Sequence, residues 1–529
     1  MPPTEVTSNG RDWLIAAVLS LPVLSLYAFH FLNAPAGLGP TGFIQYDQPY
    51  YMANAREVLD AGNGLTYGNP FSADYQTAQI YFQPLALLLA TVLRLTGADP
   101  GAIYVGFGLI ALLGCLRVMI ALYRALFPLN DLADHLGLLI FTWGGGLLFL
   151  AGLARKLLAG SLDLFFYDPD QGWWFLNLGR NLIFPTEAFY HLLFLGTILL
   201  IVRQRWWAAL AAAAILCASH PFTGIELLGI ALGWSLLERF VLGNRTIPAL
   251  FYCALAAMLA VHAGYYLVYL NRDPEHLSLF AQWRTLTAVL PFVSAMLAYG
   301  PVALLALWSV RRTDLARAVF DVPHNRLLAV WFAGAFALAN NDLLIEPIQP
   351  LHFTRGYVWT PLFLLAAPLI VTILRRAIQP RSPSGLAVAT AICGFFLLDN
   401  FAWITLNSRA PLGNYASADQ RALFRWLSAE PNRGTLVLAN PELAYAATVY
   451  SPVRGWITHD YNTPFAPQRR EELAAYRASG RLPLVSAKNA VLVVRDSALA
   501  DPLPRPADDR PSRLAYRHGS ITVWRVEPE

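Results

Sequence analysis

The chain has 529 residues, of which 56% are hydrophobic and 14% charged, and its mean hydropathy is +0.44. This composition is too apolar for a soluble enzyme of this size and indicates a protein that crosses a membrane several times. The formal net charge of +4 is small for the length, and basic residues cluster at the ends of apolar segments, so nucleic-acid binding is not expected.

Apolar segments recur along most of the chain, many of them about 17–25 residues long, which suits a helix crossing about 30 Å of hydrocarbon. The first extends from Asp12 to about Asn33, which is longer than the core of a signal peptide, and is predicted to be a retained helix. All four cysteines fall inside apolar segments and are predicted to be buried thiols. The twelve segments are 13–33, 80–96, 102–123, 135–152, 186–202, 206–220, 222–241, 246–270, 286–309, 326–344, 356–374 and 386–405.

Arginine clusters indicate the orientation of these segments. They follow every second helix, so the positive-inside rule places them in the cytoplasm and places the intervening loops, including that of Asp47, outside. The count is consistent only if segment 80–96, which contains Pro84, lies along the outer membrane face without crossing. This predicts about eleven transmembrane helices and an outward C-terminus. The clusters are Arg203/Arg205, Arg239/Arg245, Arg311/Arg312/Arg317 and Arg375/Arg376/Arg381.

The composition becomes polar at about Gly413, which predicts a transmembrane domain at 1–412 and a small extracytoplasmic α/β domain at 413–529. Apolar β-branched runs predict buried strands, and amphipathic runs predict helices. The predicted strands are 434–439, 490–495 and 520–526, and the predicted helices are 417–429 and 468–479.

The first outward loop contains FIQYDQPYYMANARE at 43–57, which places Asp47 just beyond the first apolar segment. An acid beside a membrane is costly unless it has a partner or a task. With Tyr50, Tyr51 and Arg56 it could form a helix lying on the bilayer with its tyrosines at headgroup level. Alternatively, Asp47 is a general base that takes the proton of an attacking hydroxyl, with its neighbours contacting the substrate.

Three further loops carry candidate residues. In YDPDQGWW at 167–174, Asp168 and Asp170 could bind a divalent cation or orient a sugar hydroxyl. In HFTRGYVW, His352 and Arg355 lie three residues apart, and the arginine fork suits a phosphate, although pairing of Arg355 with Asp342 or Glu346 is an equal alternative.

In SHPFTGIE, His220 ends one helix and Glu226 lies about one turn inside the next. A glutamate within an apolar helix usually has a partner, and a structural hydrogen bond from His220 is the simplest expectation. Walker, GxGxxG, HExxH and nucleophile-elbow motifs are absent from the sequence, so an activated substrate is expected to arrive through the membrane.

The chain resembles the GT-C superfamily of integral-membrane glycosyltransferases, which take a sugar from a polyprenyl-phosphate carrier. The resemblance lies in an aspartate followed by YYxxNAREVLxxGNGLTYxNP, in the following FQPLALLL, in the HPF turn, in RGYVWTPLFLLAAP and in GWITHDYNTPFAPQRREEL. It covers most of the chain. It implies a helical polytopic GT-C-like fold, a juxtamembrane helix after the first loop, and Asp47 as the base or the residue that orients the acceptor.

The resemblance also implies an assisting acid in the second loop, which would be Asp168 or Asp170, and a carrier phosphate held by Arg355, His352 or Arg180. Many members have an acidic pair in the first motif, whereas here Gln48 follows Asp47. This departure favours a mechanism without a metal cofactor.

The leading hypothesis is an inverting glycosyltransferase of the bacterial cell envelope, located in the plasma membrane. It would transfer a hexose or pentose from a polyprenyl-phosphate donor on the extracytoplasmic face. The alternatives are a polymerase or ligase using a diphosphate carrier, a transporter or flippase of lipid-linked sugars, and a non-catalytic assembly protein.

Overall fold

The computed structural model describes residues 10–160, 177–285, 289–312, 321–347, 349–379, 382–407, 414–482, 490–507 and 510–528. The chain forms two compact units, each built from separate stretches of sequence. Unit 1 comprises Met1–Ala28, Gly108–Gly264 and Thr287–Ala410, and unit 2 comprises Phe29–Phe107, Tyr265–Leu286 and Pro411–Glu529. The two-domain division predicted at 412/413 stays a prediction.

Unit 1 is helical. Its helices are α1 (Gly10–Leu32), α4 (Pro100–Leu126), α5 (Leu132–Trp143), α6 (Leu148–Leu158), α7 (Leu178–Asn181), α8 (Pro185–Val202), α9 (Trp206–Ser219), α10 (Pro221–Leu236), α11 (Ala249–Ala263), α13 (Phe292–Arg312), α14 (Pro323–Ala339), α15 (Trp359–Ile378) and α16 (Pro383–Asn407). The ends of α1 and α4 extend into unit 2. Helix α15 packs against α13 and α5, α8 against α9, and α10 against α14.

Within the described residues, seven helices are long and apolar enough to cross a membrane, or eight if the bent pair α5 and α6 is one span. One of the seven is Ala249–Arg272, in which α11 continues directly into a π-helical and a 3₁₀ turn. The chain is therefore a multi-pass membrane protein, as predicted. The sequence predicts about eleven, and the difference lies in apolar helices of fewer than 18 residues. Every predicted span coincides with a helix, but α9, α10 and α14 have only 14, 16 and 17 residues. Helix α10 continues directly into a π-helical turn at Leu237–Val241.

The bend between α5 and α6 is stabilised by side chains of α16. The two helices meet at 64° around the glycines that follow Trp143. The Asp399 carboxylate accepts hydrogen bonds from the backbone N–H groups of Gly146 and Phe149, each at 2.9 Å, and Asn400 donates to the carbonyl of Trp143 at 2.5 Å. Backbone groups freed by a break in an apolar helix need such partners.

Unit 2 contains helices and every strand found among the described residues. Its elements are α2 (Gln48–Asp60), α3 (Pro84–Thr96), α12 (Pro274–Thr285), α17 (Ala418–Leu427), α18 (Pro441–Tyr450), α19 (Ala466–Ser479), β1 (Leu38–Pro40), β2 (Tyr415–Ser417), β3 (Leu436–Leu438), β4 (Arg454–Gly455), β5 (Val491–Asp496), β6 (Ser512–His518) and β7 (Ile521–Val526). The predicted helices 417–429 and 468–479 and strands 434–439, 490–495 and 520–526 are confirmed in position.

The main sheet has the order β4-β3-β5-β7-β6, with β3 parallel to β4 and β5, and β7 antiparallel to β5 and β6. One apolar cluster includes Phe424, Val437 and Leu492, and another includes Leu436, Tyr476 and Val493. Neighbouring residues of one strand point to opposite faces of a sheet. Since the neighbours Leu436 and Val437 lie in different clusters, as do Leu492 and Val493, both faces of the sheet are covered.

The first loop and the C-terminal segment fold together. Strand β1 pairs antiparallel with β2, in the register Leu38 opposite Ser417, and helix α2 packs against α3 and α18. Helix α3 has only 13 residues and ends at Gly97, whose positive φ of 59° closes the helix with a left-handed residue. Because it is too short to span hydrocarbon, α3 suits the predicted surface position.

Candidate active site in the first loop

Asp47 lies immediately before α2, and both of its carboxylate oxygens accept hydrogen bonds. Oδ1 is 3.1 Å from Nε2 of His459, and Oδ2 is 3.0 Å from Nε2 of Gln45. The Asp47 backbone N–H in turn donates to Gln45 Oε1 at 2.9 Å. The Asp47 side chain is 46% exposed, whereas that of His459 is only 1% exposed. The carboxylate is therefore fixed in orientation and still accessible to another molecule.

Gln48 follows Asp47 at the position where many members of the family that the chain resembles have a second acid. In this structure Gln48 has a structural role. Its Oε1 accepts a hydrogen bond from the Ile44 N–H at 2.7 Å, and the residue is buried. This bond closes the loop that presents Asp47. Within the described residues, no group of three or more His, Cys, Asp or Glu side chains could hold a metal ion. Asp168 and Asp170 lie outside the described residues, and the metal-free mechanism stays a prediction.

The other predicted residues of the first loop have different surroundings. The Tyr50 ring lies 5.7 Å from the ring of His459, so it borders the Asp47 site. Tyr51 instead stacks on Tyr104 at 6.2 Å. Arg56 donates to the carbonyl of Val449 at 3.0 Å and pairs with Asp60 at 3.2 Å. Tyr50 is thus the member of this group that the structure brings closest to the partner of Asp47.

Burial affects the acidity of the groups around Asp47. It raises the pKa of Tyr50 and of Tyr445, and Asp47 raises both further because its negative charge opposes a phenolate. The pKa of Tyr46 is also raised, chiefly by burial. These phenols therefore remain neutral around Asp47 across the physiological pH range.

Unit 1 contains a second group of polar residues, here named the inner polar cluster. Its members are Glu187, His191, His220, His352 and Arg355. Arg355 pairs with Glu187 on α8, and ring nitrogens of His191 lie 2.7 Å from the Arg355 carbonyl and 2.8 Å from that of Glu187. Arg355 thus has a carboxylate partner, Glu187, that is distant in sequence.

The turn after Arg355 requires glycine. Gly356 has a φ of +84°, and a Cβ there would lie 3.0 Å from Cα of Leu178. The following residue, Tyr357, stacks on the His191 ring at 4.6 Å. A residue with a Cβ could adopt the backbone conformation of Gly356 only with strain. The turn that places Arg355 beside α8 therefore depends on this glycine.

His220 and His352 belong to the inner polar cluster, but His220 does not pair with Glu226 as expected. Its Nδ1 accepts from the Thr223 N–H at 3.2 Å, which caps α10, and its ring lies 6.3 Å from that of His352. Both carboxylate oxygens of Glu226 are buried without a hydrogen-bond partner among the described residues. The expected pair is wrong because the histidine satisfies its own helix terminus.

Arg180 is buried at the end of α7, with its guanidinium 4.7 Å above the ring of Trp403. It therefore makes a cation–π contact. The sequence also missed His459 and Glu187. His459 stands in the quoted segment GWITHDYNTPF, and Glu187 follows the proline that begins α8, but neither has a motif of its own. Asp47 belongs to unit 2 and Arg355 to unit 1.

No protein-family profile matches the chain, and no curated protein matches its sequence. The fold is similar to solved structures. The oligosaccharyltransferase of Archaeoglobus fulgidus, solved with a tethered acceptor peptide containing an NVT sequon, superposes with a TM-score of 0.51 at 11% identity, covering 92% of this chain and 69% of that one. The chain thus shares the fold of this oligosaccharyltransferase structure over most of its length.

Two other structures are similar at lower TM-scores. ArnT from Cupriavidus metallidurans in the apo state gives 0.48 at 12% identity, covering 96% of this chain and 98% of that one. AglB from Archaeoglobus fulgidus, in complex with an inhibitory peptide and a dolichol-phosphate, gives 0.44 at 12% identity, covering 91% and 69%. At these values neither adds to the fold assignment.

Proposed function

We propose that the protein is an inverting glycosyltransferase that moves a sugar from a polyprenyl-phosphate carrier to an acceptor hydroxyl, with Asp47 as the general base. The observation that carries the proposal is the Asp47 carboxylate itself. Both of its oxygens accept hydrogen bonds, and its side chain remains 46% exposed in the first loop after the first apolar helix. The GT-C fold supports the class of reaction.

The proposed chemistry needs one proton acceptor and one site for negative charge. The acceptor oxygen attacks the anomeric carbon from the side opposite the phosphate, and Asp47 takes the hydroxyl proton as the new bond forms. The bond from the anomeric carbon to the phosphate oxygen breaks, and its electron pair leaves with the polyprenyl phosphate. Because this leaving group is already a stable anion, it needs cationic stabilisation more than a general acid.

Arg355, with His352 and Arg180, is the proposed source of that positive charge. Arg355 is only 15% exposed and is paired with Glu187 before substrate binds. A guanidinium has five N–H donors, so Arg355 can keep one carboxylate partner and still donate to a phosphate oxygen. Asp168 or Asp170 is proposed to assist from the second loop.

The proposed location is a bacterial plasma membrane, with the first loop and the C-terminal segment outside. Antiparallel pairing of β1 with β2 requires these two parts of unit 2 to be on one side of the membrane. Alkaline phosphatase fused after Gly97 or after Glu529 should be active, because this reporter works only outside the cytoplasm. Activity of a cytoplasmic reporter at either position would contradict the proposed orientation.

The function can be tested with purified full-length protein in nanodiscs. The substrates are a panel of polyprenyl-monophosphate pentoses and hexoses, with octyl glycosides as acceptors, and mass spectrometry detects the new glycoside and the released polyprenyl phosphate. The Asp47→Asn variant should lose at least about 100-fold in kcat, the scale of general-base catalysis. A transporter would return the donor intact.

The control is Asp99→Asn. Asp99 is also in unit 2 and has a similarly exposed side chain, at 39%, where it pairs with Arg421. Because Asp99 has no assigned contact with substrate, this variant should keep wild-type kcat. Full activity of Asp47→Asn would remove the catalytic assignment.

A further inference from the structure

We infer that His459 is a positioning residue for Asp47, so that the C-terminal segment completes the first-loop site. The two residues are 412 positions apart in sequence, and His459 Nε2 lies 3.1 Å from Asp47 Oδ1. This inference rests on the proposed function, because it assumes that Asp47 is the base.

The hydrogen bonds of the imidazole determine which nitrogen carries the proton. His459 Nδ1 lies 3.2 Å from the backbone N–H of Tyr461, and a backbone N–H can only donate. The amide nitrogen of Asn462 lies 3.2 Å from Nδ1 and 3.4 Å from Nε2, so the Tyr461 N–H is the contact that decides between the two ring nitrogens. Nδ1 is therefore an acceptor, and in the neutral ring the proton is on Nε2, from which it is donated to Asp47.

The backbone around His459 is held in a tight turn. The His459 carbonyl accepts hydrogen bonds from the N–H and the hydroxyl of Thr463, at 3.0 Å and 2.7 Å. Helix α12 adds two bonds, because Gln282 donates to the Asp460 carbonyl at 2.6 Å and Trp283 to the Tyr461 carbonyl at 2.7 Å. The position of the imidazole is thus set by its own turn and by a neighbouring helix.

Aromatic rings enclose the imidazole on several sides. Five ring centroids lie between 4.9 and 5.9 Å from that of His459, which is 1% exposed. The rings are those of Tyr46, Tyr50, Phe71, Tyr445 and Tyr461. Packing of this kind prevents the ring from turning, so the donor stays directed at Asp47.

The consequence for catalysis is geometric. His459 and Gln45 each hold one carboxylate oxygen, which fixes the orientation of a side chain that is 46% exposed. In the reaction the proton moves from the acceptor hydroxyl to Asp47, and His459 keeps its own proton throughout. A base held in this way is aligned before the acceptor binds.

The test compares two substitutions of His459 in the transferase assay described above. His459→Phe keeps a ring inside the aromatic enclosure but removes the donor, and His459→Gln replaces the ring while supplying an N–H near the position of Nε2. His459→Phe should lower kcat by about 10–100-fold, as for loss of an outer partner of a catalytic group. Donor KM should stay within about twofold, and His459→Gln should regain most of the lost kcat.

The double variant Asp47→Asn/His459→Phe should be no slower than Asp47→Asn alone, because His459 acts through Asp47. The burial-matched control is His276→Phe, since His276 is also a buried histidine of unit 2 and bonds to the Tyr81 hydroxyl at 3.0 Å. Its kcat should equal that of the wild type, and its thermal midpoint shows what loss of a buried histidine does to stability alone.

Two results would overturn the inference while leaving the function intact: wild-type kcat in His459→Phe when Asp47→Asn is inactive, or equal losses in His459→Phe and His459→Gln. The second would show that His459 contributes only packing. Full activity of Asp47→Asn would instead overturn the proposed function.

Discussion

Arg454 and Glu57 form a buried ion pair between β4 and α2, with Nη2 and Oε1 2.7 Å apart across 397 residues of sequence. Their side chains are 2% and 6% exposed. Arg454 also donates to the carbonyls of Asn69 and Tyr75, at 3.2 Å and 3.3 Å. Arg454 of the C-terminal segment thus bonds both to α2 and to the loop that follows α2.

Removing Arg454 should therefore destabilise unit 2. Burial raises the pKa of Glu57, and Arg454 opposes part of that rise. Arg454→Met would leave the carboxylate buried without its partner, at a cost of about 3–5 kcal/mol. The Glu57→Gln/Arg454→Met double variant should recover part of this loss. The measurement is the thermal unfolding midpoint in detergent by intrinsic fluorescence.

The control for this experiment is Arg433→Met, because Arg433 is 40% exposed and its pairs with Asp60 and Glu430 are long. Exposed pairs contribute only about 0–1 kcal/mol. An Arg454→Met midpoint no lower than that of Arg433→Met would show that the buried pair does not stabilise the fold.

The stability of unit 2 should fall at acidic pH because of His276. Burial lowers the pKa of His276 from 6.5 to about 4. The unfolded chain then binds a proton between pH 6.5 and 4 that the folded chain does not, so the unfolding free energy decreases as pH falls through this window. The slope should be at most about 1.4 kcal/mol per pH unit from this group.

The measurement is the thermal midpoint from pH 7.5 to 4, compared between wild type and His276→Gln. The glutamine keeps a hydrogen-bonding group near Tyr81 but does not titrate, so the variant should lose part of the pH dependence. His518→Gln is the control, because His518 is 55% exposed. Identical pH profiles for wild type and His276→Gln would contradict the prediction.

The bend in unit 1 offers a test of the fold. Asp399→Ala removes the carboxylate, so the N–H groups of Gly146 and Phe149 should lose their hydrogen-bond acceptor. An unpaired buried donor costs about 1–3 kcal/mol, so the midpoint should fall clearly, whereas Asp399→Asn keeps one acceptor and should lose less. Equal stability of Asp399→Ala and wild type would mean that the bend has other partners.

The sequence predicted the helices, the C-terminal strands and the position of Asp47 because apolar length, alternation and a charge beside a membrane segment are local signals. It did not predict β4, which has two residues, or the pairing of β1 with β2. His459 and Asp47 meet only because the first loop and the C-terminal segment fold as one unit. Such a contact has no local pattern in one sequence.

Charged partners were equally hard to predict. For Arg355 the sequence offers the nearby acids Asp342 and Glu346 as one alternative, whereas the structure places Glu187 of α8 beside it. For Glu226 the nearest histidine in sequence is His220, but His220 caps the N-terminus of α10 by accepting from the Thr223 N–H. Sequence distance is a poor guide to the partner of a buried charge when helices from distant parts of the chain pack together.

The role of Arg355 can be separated from its pairing with Glu187. Arg355→Met alone would leave Glu187 buried without its arginine partner, which should destabilise unit 1 and obscure any effect on substrate. The Glu187→Gln/Arg355→Met double variant should recover the stability. If Arg355 holds the donor phosphate, this double variant should still have a donor KM raised by at least about tenfold, as expected for one charge-assisted hydrogen bond.

The matched control is the buried pair of Glu238 and Arg326 in the same unit, whose Nη2 and Oε2 are 2.8 Å apart. The Glu238→Gln/Arg326→Met double variant removes an equivalent ion pair that has no assigned contact with substrate, so its donor KM should equal that of the wild type. A wild-type donor KM in Glu187→Gln/Arg355→Met would show that Arg355 serves only as the partner of Glu187. The donor phosphate would then have to be held by His352 and Arg180.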